Sequence, residues 1–217
     1  MNRTRLKATE RKFLILKSAR RIFSRFGYDA ARTQDIAKES GISEAMMYRH
    51  FPSKQALYRA VLRQTIREQD ESYAVLGPHE LSGQGLVNSL RAYFTLVNSA
   101  GDDHLKEGFR LLLASLAGDG SFATLVYRRS RRIMGRRIRA ALETARIDGD
   151  IVGVAITERN TTMFIEHVGT MMNAIQSLRT DAFPYDGDPS EVVRDAVWFC
   201  CRGIGFSDEA LEAYYSR

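Results

Sequence analysis

The stretch "GISEAMMYRHFPSK", residues 41–54, carries a short polar-and-apolar run between a glycine and a proline, and it reads as one turn of chain, one short helix and the start of another. Ser43 is placed to cap the free amides of the short helix, Pro52 closes it, and Ser53 caps a helix that begins at Lys54. Just upstream, "TQDIAKES" (33–40) reads as a second short helix. Thr33 is positioned as its cap, Asp35 sits in its positive first turn, and Gly41 stops it. Two short helices joined in this way need a small residue where they cross and a turn residue free to adopt positive φ. Ala37 and Gly41 meet those needs. Ile36, Ile42 and Met47 then point inward with Ile22, Phe23, Phe26 and Phe51, which leaves Glu44, Ala45, Tyr48 and Arg49 outward, with His50 near the helix end.

An outward set of this kind suits the major groove of double-stranded DNA, where a helix reads base edges while neighbouring caps and lysines hold phosphates. Arg49 is equipped for a bidentate contact with guanine, and Tyr48 and His50 for hydrogen bonds to phosphate oxygens. Lys54 adds its charge to the amides of its own helix start, and the caps Thr33 and Ser43 lie where they can do likewise. Glu44 is unfavourable beside phosphates. It either discriminates bases, accepts from a cytosine amino group, or stabilises the helix start, and the last is the favoured reading.

The charge distribution points the same way. Over 217 residues the formal net charge is +6, but residues 1–60 hold 14 Lys or Arg against 5 Asp or Glu, while the remainder is slightly acidic. A basic module that meets phosphates, joined to a body with another task, follows from that asymmetry. No apolar run reaches the roughly 20 residues of a membrane helix, and the start "MNRTRLKATERKF" has no secretory signal, so a cytoplasmic protein without a membrane partner is expected.

The rest of the chain is patterned for helices. Ile15, Leu16, Ala19, Ile22, Phe23 and Phe26 draw a stripe down a first helix from about 7 to 26, ended by Gly27. The helix after Ser53 is expected to reach about 76. Further stripes run through Leu86, Leu90, Phe94 and Val97, then Leu105, Phe109, Leu112, Leu113 and Leu116, with breaks at Gly101, 118–120 and 148–150. Helices follow over about 121–146, 158–179 and 189–203, the last with Asp188 as cap and Pro189 as first residue, and a short one follows Ser207. "DIVGVAI" (150–156) is a brief extended piece or a turn. The fold class is therefore all-α, with about nine to ten helices.

The run 15–62, with its markers "FGY" followed by Thr33, "IAKESGIS" and "YRHFPSKQAL", closely resembles the N-terminal DNA-binding domain of the TetR family of transcriptional regulators. Family members commonly carry threonine where Met46 stands, and Met46 is assigned to packing. The resemblance implies a three-helix helix-turn-helix DNA-binding domain over 1–62 and a larger effector-binding and dimerisation domain over 63–217. It implies a homodimer on a palindromic operator, most often a repressor, released by a small-molecule effector.

In that family the last two long helices form a four-helix bundle with the partner's, which here nominates Val168, Met172 and Ile175 with Val193, Ala196, Val197 and Cys200 as interface. The family's effector pocket nominates Phe94, Phe109, Phe122 and Tyr127, with Met134, Phe164, His167 and Met171. His167 also reads as a hydrogen-bonded core or interface histidine. The segment 127–143 holds seven arginines, a solvated face by default or an anchor for an anionic effector. Adjacent Cys200 and Cys201 read as buried thiols rather than a disulfide.

Two other functions compete: a sequence-indifferent nucleic-acid binder relying on the basic head, and a helical ligand carrier or enzyme. The chain lacks a Ser-His-Asp order, HExxH, a P-loop and Rossmann glycines, and its four histidines at 50, 79, 104 and 167 are scattered, so neither catalysis nor a cofactor or metal site is expected.

Overall fold

The computed structural model describes residues 8–74, 80–99, 103–154, 156–176 and 184–215, the side chains at 103 and 104 excepted. Ten helices lie among them: α1 (Ala8–Ala30), α2 (Thr33–Glu39), α3 (Glu44–His50), α4 (Lys54–Ala74), α5 (Gly83–Asn98), α6 (Asp103–Leu116), α7 (Ser121–Ile147), α8 (Glu158–Gln176), α9 (Pro189–Ile204) and α10 (Asp208–Tyr215). The expected break at 101, the expected helix ends near 76 and 179, and the side chains of His79 and His104 fall outside the described residues. The helices group into two compact units, Met1–Asp70 with Asp103–Leu125 and Glu71–Asp102 with Val126–Arg217.

In the first unit the stripe on α1 buries Ile15, Ala19 and Phe23 fully, and α6 packs along this helix. Each such apolar side chain removed from water stabilises the fold by about 1.5–3 kcal/mol. Helix α1 runs past its expected end, but Gly27 leaves helical geometry at φ 73°, so the helix is kinked there. Phe26, the residue before the kink, is 47% exposed beneath the Arg25 guanidinium rather than in the core. Tyr28 and Tyr58 close the core beside Phe23, with ring centroids 4.8 Å apart. The Tyr58 hydroxyl donates to Asp119, and Ser115 accepts from the Phe122 and Ala123 amides to start α7.

A charged cluster crosses this unit. Arg20, on α1 and almost wholly buried, donates to Glu107 of α6 at 2.8 Å and to Glu68 of α4. Arg21 adds a longer pairing to Glu107.

In the second unit α5 packs against α8 and α9, with α10 against α5 and α9. Amides stitch the helix ends together: Asn173 donates to the Val97 carbonyl at 2.7 Å, and Gln176 to Asn98 at 2.7 Å. Helix α9 opens as its sequence requires, with Asp188 and Glu191 forming a reciprocal capping box and Pro189 in the first turn. "DIVGVAI" is extended at its start, where Ile151 makes an isolated antiparallel bridge with Phe206 and the Val152 amide donates to the Gly205 carbonyl. A side chain at Gly153 would meet the Gly205 Cα at 3.0 Å, so that close approach requires glycine. No single helix among the described residues is long and apolar enough to cross a membrane.

Candidate DNA interface and ligand-binding interior

The turn between α2 and α3 forms as the sequence demands. Gly41 adopts φ 66°, the Ile42 amide returns to the Ala37 carbonyl at 3.1 Å, and Ile36, Ala37 and Met47 are buried. Ser43 caps α3 by accepting from the Met46 amide at 3.2 Å, and Ser53 caps α4 through the Ala56 amide. Thr33 departs from its expected role. Arg32 occupies the cap position of α2 without a side-chain bond, and Thr33 is the first helical residue. The Thr33 hydroxyl is thereby free to bond across to α3, donating to the Glu44 carboxylate and accepting from the Tyr48 hydroxyl at 3.4 Å.

This tie joins the starts of α2 and α3 and brings Thr33, Glu44 and Tyr48 together. Ala45, Tyr48 and Arg49 are exposed on the outer face of α3, and His50 is half-buried at its end. Lys54 lies apart from that tie. Its ammonium donates to the Asp29 carbonyl at 3.1 Å and sits 4.7 Å from the centre of the Tyr28 ring, so part of its charge is spent on the α1–α2 connection. Met46 is half-buried against Arg11, consistent with packing.

The residues nominated for an effector pocket are divided between the two units. Phe109 and Phe122 are buried in the first unit and Phe94 in the second. Met134, Phe164 and Met171 are exposed, the last two by more than half. Tyr127 and His167 do meet, edge to face with centroids 5.5 Å apart.

Sequence reading missed a polar cluster inside the second unit. Glu166 of α8 accepts from the Ser130 hydroxyl of α7 at 3.0 Å. Burial pushes its carboxyl above the usual range, against the lowering by Ser130 and by the nearby Arg129 guanidinium. One turn along α8, Gly169 leaves room for the Tyr93 ring, whose hydroxyl a β-carbon there would strike. That hydroxyl is buried with no hydrogen-bond partner, and burial followed by the Glu166 charge drives its pKa well up. The signal was a lone carboxylate and a mid-helix glycine inside the apolar run "MFIEHVGTMM" (163–172).

Helices α8 and α9 also frame an apolar groove of about 940 Å³, lined by Phe164, Val168, Trp198 and Phe199 among others, with Arg194, Asp195 and Arg202 as its charged members. Of the residues nominated for a dimer interface, Met172, Val193, Val197 and Cys200 are buried within the single chain, and Val168, Ile175 and Ala196 are half-buried. What α8 and α9 expose is Phe164, Met171 and Phe199, the last by 71%. Cys200 and Cys201 are free thiols, and burial pushes Cys200 up to about 11. Five of the seven arginines of 127–143 are plainly solvent-exposed on α7 together with Arg139, which pairs with Glu158; Arg129 is the partly covered exception, and none lines the groove. Among the described residues no group of three or more His, Cys, Asp or Glu is placed to hold a metal ion.

Residues 15–61 match the family model for bacterial regulatory proteins of the tetR family. The chain is 45% identical over 56 residues to the HTH-type transcriptional regulator RutR of Escherichia coli K12, an alignment covering 26% of each protein. It is 31% identical over 109 residues to the HTH-type transcriptional activator FasR of Mycolicibacterium smegmatis, covering 50% of this chain and 48% of that one. These matches span between a quarter and about half of the relatives' own lengths. Among solved structures, a tetR-family bacterial regulatory protein from Rhodococcus RHA1 superposes with a TM-score of 0.68 at 17% identity, over 92% of this chain and 99% of that one. The ketosteroid transcriptional regulator KstR2 of Mycobacterium tuberculosis gives 0.63 at 16% identity, over 93% and 98%. At such identities the likeness is one of fold.

Proposed function

We propose that this chain, whose residues 15–61 match the model for bacterial regulatory proteins of the tetR family, is a member of that family and a cytoplasmic, dimeric transcriptional regulator whose DNA binding is controlled by a small-molecule effector. Binding, not catalysis, is its task. Residues 1–62 serve the DNA and residues 63–217 serve the effector and the partner subunit.

The observation that carries the reading is the outer face of α3, where Ala45, Tyr48 and Arg49 are exposed on a helix fixed by the Ser43 cap and by the Thr33–Glu44–Tyr48 tie. A helix so held enters the major groove without paying to order itself. Arg49 reads a guanine, while Tyr48, His50, Ser43, Thr33 and Lys54 serve the phosphates. Glu44 is occupied by Thr33, which supports its role as an organiser of the helix start. Two such helices reach successive turns of one DNA face, about 34–36 Å apart, when two copies join through the exposed apolar side chains of α8 and α9. A palindromic operator follows from that symmetry. The effector prefers a different separation of the heads from the one DNA prefers, and repression is relieved by that coupling.

Competitive binding with purified duplexes tests the assignment. Arg49→Ala should cost about 1–3 kcal/mol and relax specificity at a single base pair, whereas Lys54→Ala should weaken all sequences alike and reduce the salt slope by about 1. Equal loss on every duplex from Arg49→Ala would leave a sequence-indifferent binder instead.

A further inference from the structure

The interior of the second unit has a chemistry that the effector reading does not by itself specify. Three tyrosines and one carboxylate converge there from four helices. The Tyr73 and Tyr93 rings, from α4 and α5, lie 6.1 Å apart. Tyr127, from α7, feels the charge of Glu166 on α8, as does Tyr93. The carboxylate accepts from Ser130 and lies near the Arg129 guanidinium, and the Tyr93 hydroxyl has no hydrogen-bond partner among the described residues.

A buried phenol without a partner is expensive to keep, because it loses water and gains little in return. Such groups persist where something else completes them. A carboxylate beside several aromatic faces is suited to a cation, which gains from the charge and from the electron-rich rings together. The protein already uses one of these faces in this way: the Arg129 guanidinium lies over the Tyr73 ring at 5.5 Å. The other arginines of the 127–143 segment face solvent.

We infer that Glu166, with the rings of Tyr73, Tyr93 and Tyr127, forms the polar anchor for an organic cation, an amine or quaternary ammonium attached to an apolar body. The inference rests on the effector-binding reading and names its ligand class. An incoming ammonium pairs with the Glu166 carboxylate, one ring face receives its charge, and the Tyr93 hydroxyl gains a partner from the ligand. Arg129, which lies over the Tyr73 ring, yields that face when the ligand arrives.

The test uses the purified full-length protein and two pairs of probes matched in shape and opposed in charge: 4-phenylbutylamine against 4-phenylbutyrate, and tetraphenylphosphonium against tetraphenylborate. Binding is followed by calorimetry. The cation of at least one pair should bind at least about tenfold more tightly than its anion, as expected for a charge-assisted contact. Glu166→Gln, close to isosteric, should remove that preference, and Arg129→Gln should strengthen cation binding. Tyr93→Phe is a second variant that keeps the packing and should weaken it. Preference for the anions, binding of neither kind, or cation binding indifferent to both Glu166→Gln and Tyr93→Phe would overturn the inference. Operator binding by the same samples separates the two levels: if it survives while the probes fail, the ligand class is wrong and the regulator stands, whereas its absence refutes the regulator itself.

Discussion

Replacing Arg20 with methionine would remove a cation that joins α1, α4 and α6 through the Glu68 and Glu107 carboxylates. The arginine side chain is 4% exposed, while Glu68 and Glu107 retain 28% and 18% exposure. Deleting one member of a buried ion cluster costs about 3–5 kcal/mol, chiefly because the remaining charges lose their partner. Here the two carboxylates can turn partly toward water, Gln64 still donates to Glu68, and Arg21 still lies 3.5 Å from Glu107. A loss of about 3 kcal/mol results. With a urea dependence of about 2 kcal/mol per molar, the unfolding midpoint should fall by about 1.5 M, measured by circular dichroism. Neutralising both acids in the same background, as Arg20→Met/Glu68→Gln/Glu107→Gln, should recover at least half of the loss. A midpoint shift for Arg20→Met below about 0.5 M, or a further fall in the triple variant, would refute the reasoning.

Three further outcomes are expected. Phe199→Glu puts a charge on the most exposed aromatic of α9, and light scattering should show a monomer that retains native helicity; an undisturbed dimer would move the interface elsewhere. Glu166 holds its proton more tightly folded than unfolded, so its contribution to stability falls as pH rises from the ordinary carboxylate value through the raised folded value. Glu166→Gln should remove that fall and leave the protein at least as stable at pH 7, and a destabilised variant would contradict the assignment. Asp188 has the opposite sign, its carboxyl lowered first by the Ser190 side chain and then by the Glu191 and Ser190 amides. The cap's contribution is complete above the ordinary aspartate value and is lost as pH falls through the lower folded one. Asp188→Asn keeps an acceptor, so acid unfolding should show the wild type losing its advantage over the variant below about pH 4.

The helix-turn-helix was legible because its determinants are local. Gly41, Ala37, Ser43, Pro52 and Ser53 act within a few residues of themselves, and so do Asp188 and Pro189 at the start of α9. Thr33 reads as a cap in the sequence, but its hydroxyl bonds to Glu44, a partner eleven residues away that local pattern does not reveal. The packing of α6 along α1 was equally hidden, since an apolar stripe tells which face is buried and not against what. The same ambiguity affects α8 and α9. The family resemblance points to these two helices as an interface but not to which of their faces is covered, and Val197 and Met172 are interior while Phe164 and Met171 face outward. The Glu166 cluster is not legible in the sequence, because Tyr73, Tyr93, Ser130 and Glu166 belong to four segments that only the fold brings together.

The most direct test of the central claim is selection of bound duplexes from a random DNA library by the purified protein at physiological salt. A dimeric regulator that reads bases with α3 should enrich an inverted repeat whose half-sites are one helical turn apart, about 10 base pairs, or a multiple of that, with specific binding about 10³-fold or more above random sequence. Retention of duplexes without enrichment of any sequence would contradict it.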